Sequence, residues 1–146
     1  MRFFIDSNVV VSGIAFPGTE RRILLATFGK EHTFIISQDV QREARAVMRQ
    51  KFPRLREEAE EVMALLRAQI LPRKTYEGLF HGFPRLRDPA DAHILAAAIV
   101  ARCDFVVTGD KDLLVLHEVE GVKIVRPGQA RKLLAAQDAA DKTIHS

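Results

Sequence analysis

The chain has 146 residues, 47% of them apolar and 28% charged, with a net charge of +3 and a pI near 9.3. These values fit one soluble globular domain with a core of its own, and the mild basic bias permits a nucleic-acid partner without demanding one. The longest apolar stretch, Ile94 to Ala101, is too short to span a membrane, Met1-Arg2 opens no signal-peptide pattern, and the lone Cys103 excludes a disulfide framework. A reducing cytoplasm is therefore the expected compartment, with Cys103 packed in the core.

In chain order, Arg2–Asp6 reads as a first strand, an apolar run stopped by Asp6-Ser7-Asn8. Glu20–Phe28 is amphipathic and stops near Gly29. Thr33–Ser37 is a second strand, and Ser37 is placed to cap a helix over Gln38–Gln50 with Val40, Ala44, Val47 and Met48 inward. After Pro53, a helix is expected over Arg54–Gln69, and Ile70–Pro72 offers a weak edge strand. Thr75–Arg87, with Gly78, Gly82 and Pro84, reads mainly as loop. Ala90–Arg102 is nearly all apolar and predicts a helix buried against the sheet. Phe105–Thr108 and Val122–Val125 are further strands, separated by a short helix from Lys111 to about Leu116, and a last helix runs from Pro127 to about Ala136. Strands alternating with helices predict an α/β fold, a parallel sheet covered on both faces. The expected organisation is one domain over residues 1–136, followed by a polar tail over 137–146.

Acids fall where strands meet helices. Asp6 closes the first strand, Asp110 follows Phe105–Thr108, Asp91 opens the apolar helix, and Glu43 lies one turn into its own helix. In an open α/β sheet, ligands bind at the carboxyl ends of the strands. Carboxylates gathered there repel one another unless a cation holds them, so the pattern suggests a divalent-metal site and phosphoryl chemistry. Each acid also has a structural role open to it. Asp6 suits a turn or helix cap, and Asp88 in Asp88-Pro89-Ala90-Asp91 suits an N-cap. Asp110 and Asp112 cannot both cap one helix, which leaves an acid over. Glu43 reads as an exposed glutamate beside arginines, and His93 as a surface or packing residue. Thr108 offers a hydroxyl at the strand end. Arg42, Arg45 and Arg49 recur at near-helical spacing, either a solvated face or a phosphate-contacting stripe, to which Lys111 adds. There is no Gly-rich phosphate loop and no Gly-x-Ser-x-Gly elbow.

Taken together, Phe4-Ile5-Asp6-Ser7-Asn8-Val9-Val10-Val11-Ser12, Asp88-Pro89-Ala90-Asp91-Ala92-His93 and Val107-Thr108-Gly109-Asp110-Lys111-Asp112-Leu113 resemble the three acidic motifs of the PIN-domain family, small metal-dependent ribonucleases. The group most resembled is the toxin components of toxin–antitoxin systems. The likeness runs from Arg2 to about Leu134, and Ser7 stands where that family usually has Thr, keeping the hydroxyl. The resemblance implies a three-layer α/β/α sandwich on a central parallel sheet of four or five strands. It implies Mg²⁺ or Mn²⁺ held by Asp6, Glu43, Asp91 and Asp110, with Asn8, Thr108 and Asp112 in support. It also implies an RNA substrate, a small antitoxin partner and a homodimer or higher oligomer. The rival readings are a non-catalytic RNA-binding or protein-interaction module and a phosphatase of the haloacid-dehalogenase type. The second needs an Asp-x-Asp motif, and Asn8 occupies the second acid's place.

Overall fold

The computed structural model describes residues 1–83, 85–86 and 88–145, with side chains up to Ala136. Pro84 and Arg87 of the expected loop, the side chains of the expected tail and Ser146 lie outside the described residues.

The first strand, β1 (Arg2–Ile5), is buried on both faces, with Phe3 and Phe4 fully enclosed. Such a strand belongs at the centre of a parallel sheet. It pairs in parallel with β2 (Thr33–Ser37) on one side and β4 (Phe105–Val107) on the other. Beyond β2 lies β3 (Ala68–Leu71); beyond β4 lie β6 (Val122–Val125) and then β5 (Glu118–Val119). The sheet thus has six strands in the order β3-β2-β1-β4-β6-β5, and only the β5–β6 pair is antiparallel. That exceeds the four or five parallel strands expected. The extra strand is a tight hairpin turning at Glu120 (φ 51) and Gly121 (φ 81), both left-handed as a two-residue hairpin requires.

The helices are α1 (Ser7–Ala15), α2 (Thr19–Ala26), α3 (Gln38–Lys51), α4 (Arg56–Leu65), α5 (Ala92–Val100), α6 (Lys111–Leu114) and α7 (Pro127–His145). Helix α1 packs with α2, α3 and α4, and α2 with α7, while α5 packs against β2 and β4. The result is the mixed three-layer α/β architecture. Helix α5 lies close to the sheet because Ala96, Ala97 and Ala98 are small and fully buried. Cys103 is buried in the core. No described helix is long and apolar enough to cross a membrane.

One helix and several boundaries differ from the sequence reading. Helix α1 was not expected, because Val9-Val10-Val11 favours strand; the Asp6 side chain caps it, and Gly13 lets α2 approach. A Cβ on Gly13 would lie 2.5 Å from Leu24 Cδ1. The helix expected over Arg54–Gln69 stops at Leu65, because Ala68–Leu71 finds hydrogen-bonding partners along β2. The helix expected from Ala90 begins as a one-turn 3-10 segment, Pro89–Asp91, before α5. Helix α7 continues past Ala136 to His145, through a stretch with neither Gly nor Pro to stop it.

Tyr76, within the Thr75–Arg87 stretch that reads mainly as loop, is fully buried. Its hydroxyl donates to Asp39 Oδ2 at 2.5 Å, and Arg73 Nη1 donates to Asp39 Oδ1 at 2.9 Å. The buried Asp39 thereby ties the 73–80 segment to the start of α3.

Candidate active site

The register of the central strands builds the site. Ile5 lies level with Val107, so Asp6 and Thr108 emerge side by side at the carboxyl edge. From β1 the chain runs outward through β2 and β3, then returns to the opposite side of β1 with β4. This reversal opens a crevice where α/β sheets take ligands.

Asp6 is buried and fully engaged. Its Oδ1 accepts from Ser7 N at 2.7 Å, and its Oδ2 accepts from Thr108 Oγ1 at 2.7 Å and Asn8 Nδ2 at 3.0 Å. Burial raises its pKa, while the bonds from Thr108 and Ser7 oppose the rise. Thr108 also accepts from Asp110 N at 3.0 Å, and Asn8 Oδ1 accepts from Gly109 N at 2.9 Å. These bonds fasten the turn after β4 to the start of α1.

Asp110 caps α6, accepting from Asp112 N at 2.9 Å. Asp88 caps the 3-10 turn through Ala90 N at 2.9 Å, as its place before Pro89 suggested. Asp91 makes no capping bond. One carboxylate oxygen from each of Asp91, Asp110 and Asp112 lies within 4.8 Å of the other two. Burial, then the neighbouring charges of Asp110, Asp88, Asp6 and Asp112, push the Asp91 pKa up to about 6. All three are half-buried. Asp112, given only a supporting role by the sequence reading, joins the closest acidic group, while Asp6 and Glu43 stand outside it.

Glu43 comes from α3. Its Oε2 accepts from Ser7 Oγ at 2.9 Å, and its Oε1 lies 2.7 Å from His93 Nε2. Burial would raise its pKa, but the hydrogen bond and charge of His93 prevail and lower it. Burial likewise works against the charged form of His93, yet Glu43 raises its pKa overall. The surface-or-packing expectation for His93 therefore misses its bond to Glu43. The available signal was its place as the one polar residue within an otherwise apolar helix.

Arg42, Arg45 and Arg49 line one shallow depression on α3 with Gln38 and Gln41, and all three are exposed. Arg45 Nε is held by Glu60 Oε1 of α4 at 3.0 Å, so it is the least available of the three. Lys111 is exposed between Asp110 and Asp112. An open crevice beside the acids is lined by Asn8, Ser12, Gly109, Asp110 and Glu20, a carboxylate the sequence reading did not single out.

Three half-buried carboxylates, one with a strongly raised pKa, form a hard, all-oxygen donor set. That chemistry fits Mg²⁺ or Mn²⁺, whose charge would remove the repulsion among them.

A family model described as PIN domain matches residues 2–112. Similar solved structures include the FitAcB structure from Neisseria gonorrhoeae, with a TM-score of 0.64 and 18% identity, covering 86% of this chain and 97% of that one. VapBC2 from Rickettsia felis, bound to a DNA fragment from its promoter, aligns with a TM-score of 0.61 and 18% identity over 86% of this chain and 98% of that one. A toxin–antitoxin complex from Klebsiella pneumoniae aligns with a TM-score of 0.58 and 20% identity, covering 85% and 96%. No curated protein sequence matches the chain.

Proposed function

The chain belongs to the PIN-domain family, and from that premise we propose that it is a Mg²⁺- or Mn²⁺-dependent endoribonuclease, the toxin of a toxin–antitoxin pair. The observation that carries this reading is the close grouping of Asp91, Asp110 and Asp112 at the carboxyl edge of the sheet. A divalent ion held there would supply the Lewis acidity that activates water and offsets charge on phosphate oxygens. Asp91, Asp110 and Asp112 would hold it, with Glu43 as the nearby acid on α3. Asp6 braces the crevice: its hydrogen bonds fix Ser7, Asn8 and Thr108, and Thr108 in turn fixes the Asp110 backbone. Arg42 and Arg49, with Lys111, contact neighbouring phosphates of the RNA by charge.

The partner is a small antitoxin protein. A groove lined by Ile14, Leu24, Leu25, Phe28 and Leu65 supports this, with Leu25 60% and Leu65 65% exposed. Grouped exposed apolar side chains mark an interaction surface. A short reading frame adjoining this gene would supply the partner, and co-expression with Leu25→Lys or Leu65→Lys should lose the complex. The chain acts as one domain that ends in α7, the active form is a dimer or higher oligomer measurable by light scattering, and the compartment is the cytoplasm.

The deciding experiment is cleavage of a pool of structured and unstructured RNA with Mg²⁺, with Mn²⁺ and with EDTA. An Asp110→Asn variant purified identically controls for contaminating ribonuclease. Metal-dependent cutting lost in the variant supports the nuclease. Absence of both cutting and metal binding sinks it in favour of a non-catalytic module.

A further inference from the structure

Glu43 is 46% exposed, and so exposed a glutamate ordinarily samples several rotamers. Here neither oxygen is left to wander. Oε2 takes the Ser7 hydroxyl at 2.9 Å and Oε1 meets His93 Nε2 at 2.7 Å. Ser7 adjoins Asp6, and His93 lies two residues beyond Asp91, so the clamp joins the three elements that carry Asp6, Glu43 and Asp91. His93 itself is well fixed, with its side chain only 13% exposed. Its Nδ1 is buried and has no hydrogen-bond partner among the described residues. A buried, unpartnered N–H costs more than a bare ring nitrogen, so the proton of the neutral ring sits on Nε2, where it faces Glu43. Packing alone does not call for this. The neighbours on α5, Ile94, Leu95 and Ala96, are apolar and buried, and a phenyl ring would fill the same space.

We propose that His93 is a positioning residue: its Nε2–H donates to Glu43 and holds that carboxylate toward the acidic centre. The proposal rests on the nuclease reading above. Histidine would then serve the site from outside the ion's own ligands, as hydrogen-bonded supports of ligating carboxylates do.

Three variants test it. In His93→Gln the amide nitrogen falls near the place of Nε2, in His93→Asn it falls near Nδ1, and His93→Phe fills the space with no donor. Circular dichroism and thermal unfolding establish that each is folded. Mn²⁺ affinity by calorimetry and cleavage of the RNA pool are the readouts. Asn and Phe should lose about 10- to 100-fold in Mn²⁺ affinity or in kcat, while Gln stays within about threefold of wild type. In a Glu43→Gln background the Phe change should add nothing, because the bond it removes is already altered. If Phe does not fold, the Gln–Asn contrast decides alone. Phe equal to wild type, or Gln as poor as Phe and Asn, overturns the proposal while leaving the nuclease intact. Wild-type protein that neither binds Mn²⁺ nor cuts RNA overturns both.

Discussion

Asp91→Asn should make the metal-free protein more stable while ending its chemistry. Asp91 contributes no capping bond, so the substitution sacrifices no helix cap. What it removes is a charge that burial and four neighbouring acids disfavour. Raising a carboxyl from 3.8 to about 6 corresponds to about 3 kcal/mol of destabilisation once the group is ionised. Asp91 is only half-buried, and solvent screening reduces this to about 1 kcal/mol. For a chain of this size that is a rise in Tm of about 3 °C. The sign with pH follows from linkage. The folded pKa lies above the unfolded one, so the folded chain holds more protons between about pH 4 and 6, and stability falls as pH rises through that window. The difference between wild type and variant should be near zero at about pH 3.5, grow to about pH 6 and stay level above it. Thermal unfolding in EDTA across that range measures it. Adding Mn²⁺ should reverse the ranking, because an ion that binds only the folded state raises the wild-type Tm by mass action. A metal-free variant no more stable than wild type at pH 7.5 would refute the claim that these acids repel one another.

Thr108→Val removes the hydroxyl that serves Asp6, Asn8 and Asp110 N at once; it should cost about 1–3 kcal/mol in urea unfolding and push the Asp6 pKa further up. Tyr76→Phe leaves Arg73 as the remaining partner of buried Asp39 and should cost about 1–2 kcal/mol, with faster amide exchange in residues 73–80. Gly13→Ala drives a methyl into Leu24 and should destabilise by about 1–3 kcal/mol. Arg42→Ala and Arg49→Ala should each lower the salt slope of RNA binding by about 1, with a smaller effect for Arg45→Ala because Glu60 already holds that guanidinium.

The ends of β1 and β4 were readable because each apolar run stops at a polar turn, and those stops located Asp6 and Asp110. Asp88 was readable as a cap from Pro89 alone. Helix α1 was not, since three consecutive valines argue locally for strand, and the close contact at Gly13 is a property of two elements together. Strand β3 was legible only in part, because Ala68 and Gln69 take their conformation from the backbone of β2. The pairing of Glu43 with His93 joins residues fifty positions apart in different helices, and no local pattern encodes it. Sequence also does not say which carboxylates spend their oxygens on hydrogen bonds. Nor does it say which carboxylates come close in space, as Asp91, Asp110 and Asp112 do.

The central place of β1 sets the timing of assembly. Phe3 is made among the first residues, yet the partner that covers its second edge, Phe105, is made about 100 residues later. At about 5–20 residues per second, that strand waits roughly 5 to 20 seconds during synthesis with one hydrogen-bonding edge open. An apolar, aromatic strand in that condition is open to mispairing with other nascent chains. Asp110 and Asp112 follow β4 directly in the chain, so the strand that covers the second edge of β1 and the two acids beside it are made together.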